Sequence, residues 1–235
     1  MPKNAAHMHD VLTLVFEVVD DRPDWPMLGI RVNGRNPFEG VAKLWRGFAP
    51  GVILGADAPL VPDDAGQRVA VYRCSCGEAG CGVIAPYIVA SPDRSRISWV
   101  DFRDYVGVFF RPLAPESADH EGRPWDLPDL HFDRSQYLSE VRRATADRSW
   151  ETPRRRTARL LEDKLRPVLP TLDWVSPAWR AEGVQISLQQ PAGTQLLLHL
   201  TSTAPTPDEA ADDMATQLLT TPPTNWPHLF ASGRP

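Results

Sequence analysis

Short runs of apolar residues near the amino terminus predict β-strands. The β-branched run 11–19 predicts a buried strand, and residues 27–32 predict a second strand that ends at the turn signal Asn33-Gly34. Asn36-Pro37-Phe38-Glu39 then predicts the start of a helix. Asparagine can cap such a helix, proline suits its first turn, and a glutamate three residues after the cap can complete a capping box. Apolar residues at helical spacing over 38–45 favour the same interpretation.

The middle of the chain carries the clearest β pattern. The runs 68–72, 83–90 and 96–102 are separated by turn sequences, and three such runs in succession predict an antiparallel meander. Pro86 lies inside the second run. Because proline has no N–H to donate to a sheet, it indicates either an edge strand or a bulge at that point.

Capping signals predict three further helices. Asp133-Arg134-Ser135-Gln136 is a capping-box sequence that opens a helix to about residue 148. Thr152-Pro153 opens the next helix, to about residue 165, because proline is favoured at the first helical position. Thr206-Pro207-Asp208-Glu209 combines both signals and predicts a helix through about residue 219.

The order of these elements predicts the fold class. Between the last two helices, runs 183–189 and 194–200 flank a turn sequence and predict a β-hairpin. Together the elements predict an α+β fold, in which an antiparallel sheet (a meander around a cysteine-rich turn) carries helices packed on one face. The predicted segments are a disordered leader, an α+β domain, a hairpin plus helix and a Pro-rich tail, over residues 1–9, 10–166, 167–219 and 220–235. The hairpin and helix either extend the first domain or fold separately, with a boundary near 167–176.

Composition and charge narrow the functional classes. The chain has 235 residues, a mean hydropathy of −0.31 and a net charge of −5. Nucleic-acid binding usually requires a basic excess, so that partner is disfavoured, although arginines cluster at 142–143 and 154–159. Ion pairing on solvated helix faces is the alternative interpretation of those arginines. No apolar run reaches the roughly 18–20 residues that span a bilayer, and the amino terminus lacks a secretion signal, so we expect a cytoplasmic protein with no membrane partner.

All three cysteines lie in one nine-residue segment, Cys74-Ser75-Cys76-Gly77-Glu78-Ala79-Gly80-Cys81-Gly82. The first hypothesis is a zinc site in which Cys74, Cys76 and Cys81 are ligands. A fourth ligand would then come from elsewhere, and the candidates nearest in sequence are His120, His131 and Asp104.

Two other hypotheses compete with the zinc site. A redox-active or catalytic thiol would need a positive environment, and Arg73 is opposed there by Glu78. Alternatively the segment is structural: its glycines permit positive φ in a tight connection, and small buried cysteines pack like apolar residues.

Several motifs resemble those of an uncharacterised family of actinobacterial cytoplasmic proteins. They are the C-x-C-G-E-x-G-C turn at 74–81, a strand similar to V-x-W-x-x-F at 97–102, and the F-D-R-x-Q-Y helix start at 132–137. The resemblance covers roughly residues 10–148 and implies no known function. Where that family has an aromatic residue after the last cysteine and a histidine after the strand, this chain has Gly82 and Asp104-Tyr105.

The sequence favours a non-enzymatic role. Motifs of known catalytic classes are absent from it, and eight tryptophans, two of them followed by proline at Trp25 and Trp226, include candidate interface anchors. We therefore expect a cytoplasmic protein that binds another protein, in the manner of an immunity or accessory factor. The alternatives are a zinc-stabilised binding domain or a thiol-dependent enzyme that uses Cys81 or its neighbours.

Overall fold

The computed structural model describes residues 9–18, 22–42, 44–114, 122–179 and 181–231. The chain divides into two compact units, Met1–Trp150 and Glu151–Pro235. Except for His9, the predicted leader lies outside the described residues. Antiparallel sheets and helices are both present, so the predicted α+β class is confirmed. Among the described residues no helix has the length and apolar character needed to cross a membrane.

The first unit contains most of the strands. They are β1 (Leu12–Val18), β2 (Pro26–Val32), β3 (Arg46–Gly47), β4 (Gln67–Arg68), β5 (Tyr72–Arg73), β6 (Val83–Ala90), β7 (Arg96–Tyr105), β8 (Arg123–Pro124) and β9 (Leu130–Asp133). The helices described in this unit are α1 (Pro50–Ile53) and α2 (Arg134–Ala146). Strands β1 and β2 form an antiparallel pair, and the other strands form a sheet in the order β3-β5-β6-β7-β8, with β4 added to β6 and β9 to β7.

The antiparallel meander is confirmed, but its first strand, predicted over 68–72, is divided into β4 and β5, and the cysteines lie between β5 and β6. Of the two alternatives at Pro86, the bulge is right and the edge strand is wrong, because β6 pairs with neighbours on both sides. The register passes from Ala85–Arg103 to Tyr87–Val100, so two residues of β7 lie opposite Pro86. One of them, Asp101, has a positive φ of 47°.

Helix α2 joins the core of the first unit through Tyr137. The Trp99 indole N–H donates to the Tyr137 hydroxyl at 3.1 Å, and that hydroxyl donates to the Leu60 carbonyl at 2.8 Å. All three residues are fully buried. Burial raises the pKa of Tyr137 above its usual value, so the hydroxyl keeps the proton that it donates.

Polar side chains of α2 also satisfy the outer edge of β1. Gln136 accepts a hydrogen bond from the Leu12 N–H and donates to its carbonyl, at 3.2 and 2.7 Å. One turn later Glu140 accepts from the Leu14 N–H at 2.6 Å, and Arg143 donates to the Leu14 carbonyl at 2.6 Å. The predicted capping box is therefore only half formed: Asp133 caps the Gln136 N–H at 2.9 Å, but Gln136 reaches β1 instead of turning back.

The helix predicted to start at Asn36 is wrong. Residues 37–41 form turns, in which Asn36 Oδ1 accepts from the Phe38 N–H at 2.9 Å. Phe38 is fully buried against Tyr72, with ring centroids 4.9 Å apart. The aromatic anchor thus fixes a short loop rather than the face of a helix.

The second unit is a three-stranded antiparallel sheet with helices. Its elements are α3 (Pro153–Leu165), β10 (Leu172–Pro177), β11 (Val184–Gln189), β12 (Gln195–Leu200), α4 (Pro207–Thr220) and α5 (Trp226–Leu229). The predicted hairpin is confirmed as β11 and β12, and β10 adds a strand that the sequence analysis missed. Both threonine caps form: Thr152 accepts from the Arg155 N–H and Thr206 from the Glu209 N–H, each at 3.2 Å.

The two units meet between residues 150 and 151, before the start of α3. The boundary predicted near 167–176 lies after α3 and would place that helix in the first unit. Leu161 and Leu165 of α3 are fully buried in a core that they share with residues of β11, β12 and α4. Apolar packing therefore assigns α3 to the second unit. The described part of the Pro-rich tail also joins this core, because Trp226 is buried and its indole N–H donates to the Thr221 carbonyl at 2.9 Å.

Candidate metal site at the cysteine turn

Backbone hydrogen bonds shape the segment between β5 and β6, residues 74–82, which we call the cysteine turn. The Cys74 N–H donates to the Gly82 carbonyl at 2.8 Å and closes the turn where the two strands meet. Inside it, the Gly77 N–H donates to the Cys74 carbonyl at 2.9 Å, and Ala79–Cys81 forms one turn of 3₁₀-helix. Gly77 has φ +91°, a conformation that residues with a Cβ rarely adopt.

Two contacts from outside hold the cysteine turn. Arg73 Nη1 donates to the Gly77 carbonyl at 2.5 Å, and its guanidinium lies 5.1 Å from the centre of the Phe48 ring. Burial lowers the pKa of Arg73, although nearby Glu78 opposes the shift. On the other side the Gly107 N–H donates to the Gly80 carbonyl at 2.8 Å. The turn is thus fixed at two of its glycines.

The three thiols converge at the surface of this turn. The sulfur atoms of Cys74, Cys76 and Cys81 all lie within 4.8 Å of one another, and within the described ranges no other His, Cys, Asp and Glu side chains form such a group. Tetrahedral zinc with Zn–S distances of about 2.3 Å places its sulfurs about 3.8 Å apart. Small side-chain rotations would bring the three thiols to that spacing, so the donor set fits one zinc ion.

Exposure contradicts the structural hypothesis for the thiols. Cys76 and Cys81 are exposed and Cys74 is half-buried, so these side chains are not apolar packing groups. The glycine part of that hypothesis holds for Gly77 alone, since Gly82 is extended at φ 168°. A Cβ at Gly82 would lie 3.1 Å from the Trp45 ring, so a side chain there would require that ring to shift.

The pKa values of the thiols are shifted in opposite directions by their contacts with one another. Hydrogen bonds to the Cys74 sulfur from the Cys76 N–H and from the thiols of Cys76 and Cys81 lower the pKa of Cys74 to about 7. The same interactions keep the proton on Cys81, whose pKa is raised to about 11. A high pKa is unfavourable for a nucleophile, so Cys81 is disfavoured as the thiol of an enzyme, whereas the lowered pKa of Cys74 is typical of a reactive thiol.

The candidates for a fourth ligand are engaged elsewhere or lie outside the described residues. Asp104 accepts from Arg123 at 3.0 Å, and His131 Nδ1 lies 2.9 Å from the Ser98 hydroxyl on β7. Neither belongs to the cysteine group. His120 lies outside the described residues. The described part of the chain therefore contributes three ligands, all of them thiols.

An exposed apolar rim, Val106 and Phe110, borders the cysteine turn. Their side chains are 70% and 81% exposed. A Cβ built on Gly80 would lie 3.5 Å from the Phe110 ring, which places that ring directly beside the turn. Sequence reasoning missed this rim because exposure of a lone phenylalanine in a loop leaves no periodic pattern.

The predicted tryptophan anchors fare differently. Trp226 is buried in its own unit and is wrong as an interface anchor. Trp25 is only partly exposed. At the candidate site the most exposed aromatic residue is Phe110, not a tryptophan.

The arginine clusters form ion pairs on the helices. Arg143 pairs with Glu140 at 2.8 Å, Arg156 with Asp208 at 2.9 Å, and Arg159 with Glu151 at 2.7 Å. These contacts agree with solvated helix faces and leave less positive charge for phosphate.

The chain was also compared with models of known protein families, with curated proteins and with solved structures, and none of them matches it. The class that the site itself defines is a candidate three-thiolate metal centre on an α+β domain.

Proposed function

We propose that this protein binds a thiophilic metal ion, zinc in the first instance, through Cys74, Cys76 and Cys81. The observation that carries the proposal is the convergence of three thiols, two of them exposed, within 4.8 Å of one another on one turn. Thiolates select zinc and other soft metal ions over magnesium or calcium. The metal would fix the three cysteine side chains on the turn between β5 and β6, and this turn would contact a partner. The protein would then act as a binding domain rather than as an enzyme.

The core of the first unit does not depend on this site. Trp99, Phe132 and Tyr137 are fully buried and contact one another without any contribution from the cysteines. We therefore expect the metal-free protein to stay folded, with metal fixing the three cysteine side chains rather than the backbone of the turn.

Metal titration tests the proposal. The full chain is reduced, stripped with a chelator and titrated with Co²⁺, whose tetrahedral thiolate complexes have intense visible and near-ultraviolet bands, and then with Zn²⁺ as competitor. We expect one ion per chain and displacement of cobalt by zinc. Cys76→Ser should weaken binding at least tenfold, whereas Val61→Ser, a change at an exposed residue near the opposite end of β6, should leave it unchanged. Absence of saturable binding, or equal binding by Cys76→Ser, would refute the proposal.

A second candidate function, binding of another protein, is favoured by the apolar rim. Aromatic residues are enriched at protein–protein interfaces, and Phe110 lies beside the proposed metal site. The two functions are compatible, because the rim and the thiols lie on the same turn and its neighbouring loop.

A further inference from the structure

Among the described residues, the candidate metal centre lacks a fourth ligand. Structural zinc sites are almost always four-coordinate, and the described residues bring three thiols together. We propose that a second copy of this chain completes the site, with two cysteine turns face to face and six thiolates holding two zinc ions. Two of the six thiolates bridge the ions, so each zinc has four sulfur ligands. This inference rests on the proposed metal binding.

The donor count favours a second copy over other occupants. Three thiolates per chain are the number that a two-zinc, six-thiolate centre requires when two chains meet about a twofold axis. A water molecule as fourth ligand would leave an open site, which is typical of catalytic zinc. The sequence carries no motif of a known catalytic class that would use such an open site.

The exposure of the thiols suits bridging. Cys76 and Cys81 are exposed, so their sulfurs are accessible to a metal ion that is held by another chain. Cys74 is half-buried and is the natural terminal ligand. The backbone of the turn, fixed at Gly77 and Gly80, holds the thiols in place for such an approach.

The apolar rim favours burial of the same face of the protein in an interface. Val106 and Phe110 lie beside the turn, on a loop that the Gly107–Gly80 hydrogen bond joins to it. In an isologous dimer each rim would contact the partner's turn or rim, and burial of these side chains favours association.

Basic groups near the turn offset the negative charge of a thiolate centre. Arg73 donates to the Gly77 carbonyl, and Arg46 lies opposite it in the β3–β5 pair. Six thiolates and two zinc ions carry a net charge of −2, so Arg46 and Arg73 of each chain, offset in part by Glu78, reduce the repulsion between the two copies.

The test measures mass and metal content of the full chain together. Chelator-washed protein, kept reduced to prevent disulfide exchange, is analysed by light scattering after size exclusion, with and without one equivalent of zinc. We expect a monomer of 26.2 kDa without metal and a dimer with one zinc per chain. Phe110→Ser should raise the dimer dissociation constant at least tenfold while the three thiols still bind zinc.

Val61→Ser is the matched control. Val61 is also an exposed apolar residue of the first unit, and its carbonyl accepts from Gln67, which pairs near the opposite end of β6. We expect it to dimerise like the unaltered chain. A zinc-bound protein that remains monomeric at all concentrations would overturn the dimer and leave metal binding intact. Dimerisation that ignores zinc or Phe110→Ser would also overturn it, and failure to bind any metal would refute both proposals.

Discussion

The buried guanidinium of Arg68 is the clearest place to perturb the first unit. Its side chain is 5% exposed and its Nη2 lies 2.5 Å from Asp101 Oδ2. Nη1 donates to the carbonyls of Ala85 and Asp101, and the guanidinium lies 5.5 Å from the centre of the Tyr87 ring. Arg68 therefore connects β6 and β7 at the bulge opposite Pro86.

We expect Arg68→Met to destabilise the first unit by about 3 kcal/mol. Removing one partner of a buried ion pair costs about 3–5 kcal/mol, because the remaining groups lose their compensation. The lower end applies, since the Asp101 side chain is 41% exposed and water can hydrate it. Arg103 also donates to Asp101 at 2.9 Å, but it is more exposed, and Arg103→Met should cost below about 1 kcal/mol.

Substitutions of Asp101 separate charge from backbone strain. Asp101 has φ 47°, which asparagine tolerates and alanine does not. Asp101→Asn should cost about 1–2 kcal/mol through the weakened pair with Arg68. Asp101→Ala should cost about 1 kcal/mol more, because the left-handed backbone conformation is then strained as well.

The effect of Asp101 depends on pH. Burial raises its pKa, but hydrogen bonds and charges from Arg68 and Arg103 outweigh this and lower the pKa below the ordinary value. Its stabilising contribution is therefore present above the unfolded pKa of about 4 and is lost as the pH falls through the lower folded pKa. The difference in stability between the unaltered chain and Asp101→Asn should shrink below about pH 4.

Native-state hydrogen exchange of the β6 and β7 amides in the full chain measures these values, because it reports the first unit without interference from the second. A cost below about 1 kcal/mol for Arg68→Met would refute the argument. So would equal costs for Asp101→Asn and Asp101→Ala, since the strain would then be absent.

Three further predictions follow from other elements. Gln136→Leu should cost about 1–2 kcal/mol and speed exchange of the Leu12 amide, because β1 loses its edge partner, whereas Ser139→Leu, at an exposed position of the same helix, should not. Gly77→Ala should destabilise the cysteine turn by about 1 kcal/mol because its φ is +91°, whereas Gly80→Ala should be nearly neutral; thermal scans and turn-amide exchange distinguish the two. A fragment of residues 151–235 should fold alone, with dispersed amide resonances, because its buried core includes no residue of the first unit; a disordered spectrum would contradict this.

Local sequence signals predicted the elements that depend on neighbouring residues. The caps at Asp133, Thr152 and Thr206 form because each side chain reaches an N–H three residues ahead, which sequence spacing alone determines. The cysteine turn was placed correctly between two strands because turn residues interrupt two apolar runs.

Contacts between distant residues explain the failures. Gln136 does not complete the capping box because its side chain pairs instead with the N–H and carbonyl of Leu12 at the β1 edge, 124 residues away. Phe38 leaves its predicted helix because Tyr72 and Phe102 surround it in the core. Strand β10 was missed because Trp174 pairs with Ser187 across a register shift, which breaks the alternation that identifies a strand.

The cysteine turn shows how exposure can decide between hypotheses that sequence leaves open. Its backbone is held by hydrogen bonds at Cys74, Gly77 and Gly82, and of the three thiols only Cys74 adds to them, by accepting from the Cys76 N–H. The thiols of Cys76 and Cys81 contribute little to packing, because they are exposed. These two side chains neither shape the turn nor fill the core, so they can act as ligands. Three sulfur atoms within 4.8 Å of one another are suited to a soft metal ion. That reasoning makes the metal titration the experiment on which the function of the first unit depends.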